Sequence, residues 1–123
     1  MFVVLDTNVI VSALLSPTGR PSYVFKQVLD GDYILCCDAR ILREYEEVLK
    51  RPKFRFNPDL IADLMNFIRT NCLTVTPKSL DIPFEDVSDR KFFEVAKYCN
   101  AILITGNLKH FPNDPIVKSV QDI

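Results

Sequence analysis

The sequence predicts an α/β fold, a three-layer α/β/α sandwich built on a mainly parallel central sheet. Short apolar runs, typical of buried strands, alternate along the chain with segments whose apolar residues recur at helical spacing. Such alternation favours βαβ units and therefore parallel pairing of the strands. The chain has 123 residues, 48% of them hydrophobic, which suits one domain with its own core. We expect a single domain over residues 1–123.

The N-terminal segment predicts one strand and two helices. Residues 1–5 are a short apolar run with two valines, and we expect a fully buried strand there. Residues 9–15 should form a helix directly after it. Pro21 suits the first turn of a second helix, which we expect to run to about residue 30.

The next segment predicts a second strand and an amphipathic helix. Residues 33–37 read as the strand, and Asp38 is a suitable N-cap for a helix that runs to about residue 50. Pro52 should stop that helix because proline lacks the amide hydrogen that a helix interior needs.

A further helix should begin at Asn57 and Pro58, and a short strand should follow it at residues 73–75. The apolar positions of this helix are Leu60, Ile61, Leu64, Phe67 and Ile68. Residues 76–87 are polar and contain proline, which predicts an irregular connection.

The C-terminal segment predicts one helix between two strands. Ser88 can cap a helix over residues 89–98, whose apolar residues lie on several faces, so we expect it to be well buried. Residues 101–105 should form a strand that Gly106 ends, and residues 116–120 a last short strand.

Composition narrows the possible functions. The formal net charge is −1, so no overall basic field would attract nucleic acid, and any such contact must come from local cations. We expect reduced, buried thiols rather than a disulfide or zinc framework, because the four cysteines form no CxxC pair. The N-terminus does not resemble a signal peptide and no window suits a membrane span, so we expect a cytoplasmic protein.

Acidic and polar residues fall where parallel strands end or helices begin, the places where function gathers in open parallel sheets. Asp6 ends the first strand. Glu44 lies on the apolar stripe of its helix, where an unpaired glutamate is unusual. The remaining candidates are Asp86, Asp89, Thr105, Gly106 and Asn107.

Each signal also has a purely structural interpretation. Asp6 could simply cap the helix that follows it. Glu44 could pair with Arg40 or Arg43. Asp89 could merely suit the helix dipole, and the residues after the fourth strand could form an ordinary turn.

Taken together, Asp6, Glu44, Asp89 and Asn107 are predicted to meet at one end of one sheet. Clustered carboxylates repel one another unless a cation neutralises them, and oxygen-only ligands select hard ions. The pattern therefore indicates a Mg²⁺ or Mn²⁺ site, and such ions can activate water and stabilise charge on a phosphodiester.

Three segments give the chain its resemblance to a known family. They read VVLDTNVIVSALLSPTG, ILREYEEVLKRPKF and DVSDRKFFEVAKYCNAILITGN. The chain resembles PIN domains, and most closely the branch of toxin components of toxin–antitoxin pairs. The likeness covers nearly the whole chain. The acids of the three segments fall on Asp6, Glu44 and Asp89.

The resemblance implies a Mg²⁺- or Mn²⁺-dependent endoribonuclease. Asp6, Glu44 and Asp89 would hold the metal and orient the attacking water, and Asp86 would assist from behind them. Thr7, Asn8 and Thr105 would hydrogen-bond the acids or the phosphate. The resemblance also implies RNA as substrate, a cognate antitoxin and a homodimer.

One position departs from the family pattern. The usual TGD turn reads TGN here, so Asn107 offers a neutral carbonyl oxygen in place of a carboxylate. The loss of one negative charge should lower metal affinity, above all for a second ion.

The segment KRPKFRF interleaves cations with two phenylalanines, a composition that suits phosphates and unstacked bases. It also suits a solvated helix end with two core phenylalanines. The lone His110 we interpret as a surface or capping residue. The candidate RNA contacts are Arg51, Lys53, Arg55, Lys91 and Lys109.

Two other functions compete with the nuclease. A degenerate PIN module would bind RNA or protein without cutting, which Asn107 favours. A phosphotransferase of the haloacid-dehalogenase type also begins with a strand-terminal aspartate. Its chemistry needs a second acid two residues later, and that position is Asn8 here.

Overall fold

Five parallel strands form the central sheet of the computed structural model, which describes residues 1–84 and 86–123. Their order across the sheet is β3-β2-β1-β4-β5. Val3 of β1 pairs with Leu35 of β2 on one side and with Ile102 of β4 on the other. The strands are β1 (Phe2–Leu5), β2 (Ile34–Cys37), β3 (Leu73–Thr74), β4 (Ile102–Thr105) and β5 (Val117–Ser119).

In the described part of the chain, five α-helices connect the strands and pack on the sheet. The first two link β1 to β2, the next two link β2 to β3, and the last links β3 to β4. They are α1 (Thr7–Leu15), α2 (Arg20–Leu29), α3 (Ala39–Leu49), α4 (Pro58–Asn71) and α5 (Arg90–Cys99).

The chain changes direction across the sheet at β1. It moves outward from β1 to β3 and then crosses back to place β4 on the other side of β1. Right-handed crossovers in opposite directions put their helices on opposite faces, which gives the predicted α/β/α sandwich. The reversal also opens a crevice at the carboxyl ends of β1 and β4, the place where such sheets bind ligands.

Local capping accounts for several helix starts. The Asp38 carboxylate accepts a hydrogen bond from the Ile41 amide at 2.9 Å, and Asn57 accepts one from Asp59 at 2.8 Å. The Asp38 cap was predicted, as were the start of α4 at Asn57 and Pro58 and the place of Pro21 in the first turn of α2. The two caps bond to backbone N–H groups that have no partner within their helix, and Pro21 has no such N–H group.

Two details of the helix predictions were wrong. Ser88 does not cap α5: its amide donates to Asp86 in a short 3₁₀ turn, and Asp89 occupies the N-cap position. Leu60 is 52% exposed because the buried face of α4 is set by Ile61, Leu64, Met65 and Ile68. Glu85, within the predicted connection, lies outside the described residues.

The core lies on both sides of β1, whose residues Val3, Val4 and Leu5 are fully buried. Tyr45 of α3 is also fully buried, and its hydroxyl donates to the Leu5 carbonyl at 2.5 Å. This bond fixes α3 against the end of β1, beside Asp6. All four cysteines are free thiols; Cys36 and Cys37 are buried as predicted, whereas Cys72 and Cys99 are only partly buried. Within the described residues, no helix has the length and apolarity to cross a membrane.

Candidate active site

A cleft of about 280 Å³ opens at the carboxyl ends of β1 and β4. Three aspartates line it, and we call it the acidic cleft. Its polar lining residues are Asp6, Thr7, Asn8, Asp86, Asp89 and His110, and its apolar ones are Val11, Val48 and Phe54. Strand ends and the start of α5 therefore bring together acids that are up to 83 positions apart in sequence.

Asp6 is held at the base of this cleft by β4. Its amide donates to the Ile104 carbonyl at 3.0 Å, and its Oδ2 accepts from the Thr105 hydroxyl at 2.8 Å. Burial raises the pKa of Asp6, the Thr105 hydrogen bond opposes this, and the nearby charge of Glu44 raises it further. The ionised carboxylate is therefore in an environment that favours a cation.

Asp89 enters the cleft from the N-terminus of α5. Its side chain is 13% exposed, and its Oδ2 is buried without a hydrogen-bond partner among the described residues. Burial, together with the charges of Asp6 and Asp86, raises the pKa of Asp89 to about 6. A buried carboxylate oxygen that lacks a donor is costly unless a cation or water completes it.

Asp86 is largely committed to local structure. Its Oδ1 accepts from both the amide and the hydroxyl of Ser88, at 2.9 and 2.7 Å. These bonds lower the pKa of Asp86. Asp86 thus stays ionised at the rim and shapes the turn that presents Asp89.

Glu44 lies outside the acidic cleft, in the next groove. Its Oε2 accepts from the Thr7 hydroxyl and its Oε1 lies 2.7 Å from the ammonium of Lys91. Glu44 and Lys91 line a groove of about 430 Å³, which we call the neighbouring groove. The interpretation that Glu44 pairs with Arg40 or Arg43 was wrong, because Arg40 binds Asp38 and Glu94 instead.

Asn107 holds the turn rather than facing the cleft. Its amide donates to the Thr105 hydroxyl at 2.9 Å, so that hydroxyl is fixed as a donor to Asp6. Its side-chain nitrogen lies 2.9 Å from His110 Nε2. A Cβ added at Gly106 would lie 3.6 Å from the Asn8 side-chain oxygen, so the turn packs closely on the start of α1.

The four expected metal-site residues do not form a closed set of ligands in this structure. In the described parts of the chain, no three histidine, cysteine, aspartate or glutamate side chains are arranged to hold a metal ion. The reason is local. Both oxygens of Glu44 already have partners, Thr7 and Lys91, and the side-chain amide of Asn107 contacts His110. Asp6 and Asp89 remain, and their carboxylate oxygens are the donor type that Mg²⁺ and Mn²⁺ prefer.

Sequence reasoning missed the partners of His110 and Lys91. His110 Nδ1 lies 3.5 Å from Asp89 Oδ2 at the cleft rim. Lys91 is only 11% exposed and its ammonium is bound to Glu44, which does not fit its expected role as an exposed RNA contact. Helical spacing could not have predicted either contact, because Asp89 and Glu44 lie in other segments of the chain than His110 and Lys91.

The KRPKFRF segment reaches the acidic cleft through Phe54. The rings of Phe54 and Phe56 stack with centroids 5.5 Å apart, and the Lys53 ammonium lies 5.1 Å from the Phe54 centroid. Arg51 is paired with Glu47 at 3.1 Å. Arg55 and Lys109 are exposed. The segment thus places the Phe54 ring in the lining of the cleft and the Lys53 ammonium beside that ring.

Comparison with known proteins gives a consistent assignment. The family model described as PIN domain matches residues 2–109. An uncharacterized protein of Methanocaldococcus jannaschii is 30% identical over 108 residues, which cover 85% of this chain and 70% of that protein. No solved structure matches the chain significantly.

Proposed function

This chain belongs to the PIN-domain family, whose members are nuclease-type domains, and we propose that it is a metal-dependent endoribonuclease. The fold, with its crevice at β1 and β4, is the one expected for that family. We further propose that residues 1–123 act as one domain and serve as the toxin component of a toxin–antitoxin pair.

The observation that carries the proposal is the pair of carboxylates in the acidic cleft. Asp6 and Asp89 line the same cleft, and the charge of Asp6 adds to burial in raising the pKa of Asp89. Among the described residues, Oδ2 of Asp89 is buried without a hydrogen-bond donor, and His110 Nδ1 lies 3.5 Å from it. A hard divalent cation would satisfy that oxygen and offset the repulsion between the acids.

In this proposal Asp6 and Asp89 hold Mg²⁺ or Mn²⁺, and Glu44, which is paired with Lys91, lies behind Thr7. When bound, the ion would lower the pKa of a water and stabilise charge on the phosphodiester that is hydrolysed. The Thr105 hydroxyl keeps Asp6 oriented through the 2.8 Å hydrogen bond, and the backbone amide of Asn107 holds that hydroxyl in place. Asn107 could itself reach an ion only by leaving His110.

RNA would approach along the exposed cations near the cleft. Lys53, Arg55 and Lys109 are exposed and suit phosphate oxygens, while Phe54 offers an aromatic edge to an unstacked base. A cognate antitoxin would inhibit by placing an arginine or lysine against the aspartates. Homodimerisation and a cytoplasmic location belong to the same proposal.

The direct test is RNA cleavage by the purified chain with added Mn²⁺. We expect cleavage of single-stranded RNA that EDTA abolishes and that excess Mn²⁺ restores. The Asp89→Asn variant should lose it, since a neutral amide cannot replace the charge in a metal site. Equal activity of wild type and Asp89→Asn would point to a contaminating nuclease and refute the proposal.

The second candidate, a PIN module that binds without cutting, is favoured by the contacts of Asn107 and Glu44. The Asn107→Asp variant separates the two. In a weakened enzyme it should raise Mn²⁺ affinity and cleavage rate by about tenfold or more, because it adds a negative charge beside the cleft and a carboxylate that can turn from His110 toward an ion. Binding is measured by calorimetry and rate on a labelled RNA. A variant that neither binds Mn²⁺ nor cuts RNA would favour the binding module.

A further inference from the structure

We propose that Lys91 is a fixed cation of this site: its ammonium stays on Glu44 and replaces a second divalent ion, so that the chain binds a single metal ion. The inference rests on the proposed metal-dependent function and concerns how many ions that function uses. It assigns Glu44 the role of an anchor for Lys91 and leaves direct ligation to Asp6 and Asp89.

The contacts of Lys91 support a permanent position. Its ammonium lies 2.7 Å from Glu44 Oε1 and donates to the Ser88 carbonyl. It also lies 5.0 Å from the centroid of the Phe92 ring. The side chain is 11% exposed, so moving the ammonium away would forfeit three interactions that little water could replace.

The contacts of Glu44 point the same way. Oε1 is bound by Lys91 and Oε2 by the Thr7 hydroxyl, so both oxygens have a donor. Thr7 lines the acidic cleft, whereas Glu44 and Lys91 line the neighbouring groove. Thr7 therefore stands between the Glu44 carboxylate and the space that Asp6 and Asp89 share.

Charge balance explains why one ion would suffice. Asp6, Glu44 and Asp89 carry three negative charges when ionised, and Lys91 neutralises one of them. A single divalent ion balances the charges of Asp6 and Asp89. A second ion would meet only Asp86 at the rim, whose Oδ1 already accepts two hydrogen bonds from Ser88. The TGN turn agrees with this balance, because Asn107 adds no charge.

The test is Mn²⁺ binding, measured by calorimetry and by electron paramagnetic resonance, which reports pairs of close Mn²⁺ ions. Wild type should bind one ion per chain without a spin-coupled signal. Lys91→Met should free Glu44 and either bind a second ion or bind the first about tenfold more tightly. Lys91→Arg keeps the charge and should behave as wild type.

A double variant keeps the test decisive if Lys91→Met folds poorly. Glu44→Gln/Lys91→Met replaces the ion pair by a neutral pair of similar size, and we expect it to bind one Mn²⁺ within about threefold of wild type. A loss of Mn²⁺ affinity of about 100-fold would mean that Glu44 is itself a ligand. That result would overturn the inference about Lys91 but not the proposed metal-dependent function. Two ions bound by wild type would also overturn it. No Mn²⁺ binding by folded wild type would overturn the proposed function as well.

Discussion

The Asp6→Asn variant is expected to lose RNA cleavage by about 1,000-fold or more and at the same time to fold more stably than wild type. The loss follows from the position of Asp6, which is 7% exposed and is one of the two carboxylates proposed to hold the ion. Asparagine keeps the shape and the acceptor for Thr105 but removes the charge.

The gain in stability follows from the sign of the pKa shift. The folded protein raises the pKa of Asp6 above 3.8, so folding disfavours the ionised form. Stability from this group is fully present below pH 3.8 and is lost as pH rises through the folded pKa. At pH 7 without metal, wild type therefore carries a cost that the variant lacks.

Urea unfolding without metal at pH 7 and at pH 4 measures this difference. The free energy of unfolding of Asp6→Asn should exceed that of wild type at pH 7, and this difference should be smaller at pH 4. Saturating Mn²⁺ should stabilise wild type and leave the variant unchanged, because the ion binds the folded state of wild type alone. Asp63→Asn, an exposed position on α4, is the matched control and should change neither property. An Asp6→Asn protein that still cuts RNA at the wild-type rate would remove Asp6 from the active site.

The placement of Asp6 and Asp89 could be predicted because it depends on local sequence. Asp6 follows a buried apolar strand, and Asp89 precedes an apolar helix, so the topology of a parallel sheet brings both to one edge. The boundaries of the strands and helices follow equally from apolar runs, prolines and caps. This is why the fold class and most elements agree with the structure.

The partners of the charged residues could not be predicted in the same way. The stripe on α3 indicated that Glu44 is half-buried, but Lys91 lies 47 positions further along and meets it only after β3 and α5 are in place. Several nearby cations could have satisfied Glu44, and the sequence left Arg40 and Arg43 open as its partners. Selection among them depends on the packing of α3 against α5.

Glu94 illustrates the same limit. It lies within an apolar stretch of α5, which predicted burial of the helix, yet nothing local shows what compensates its charge. In the structure it is 1% exposed, and its carboxylate accepts from Arg40 at 2.8 Å and from the Leu80 amide at 2.6 Å. The first partner lies 54 positions away.

Replacing Arg40 with alanine is therefore expected to destabilise the fold by about 2 kcal/mol, out of a total of about 5–15 kcal/mol for a domain of this kind. Arg40 bridges Asp38, which caps α3, and Glu94, which is buried in α5. Without it, two nearly buried carboxylates lose their shared cation. The estimate is below that for a fully buried pair because the Arg40 side chain is 47% exposed and partly screened by water.

The pH dependence of this loss distinguishes an ion pair from simple packing. Hydrogen bonds from the Leu80 amide and Arg40 lower the pKa of Glu94 below 4.5, despite the opposing effect of burial. The stability that Glu94 contributes is present above pH 4.5 and is lost as pH falls through its folded pKa. In urea unfolding, the difference in free energy of unfolding between wild type and Arg40→Ala should thus be largest near pH 7 and shrink toward pH 3.

The matched control is Arg43→Ala, an exposed position on the same helix, which should cost less than about 0.5 kcal/mol at any pH. Equal losses for the two variants would show that the bridge between α3 and α5 contributes little, and that the Leu80 amide alone accommodates the buried charge.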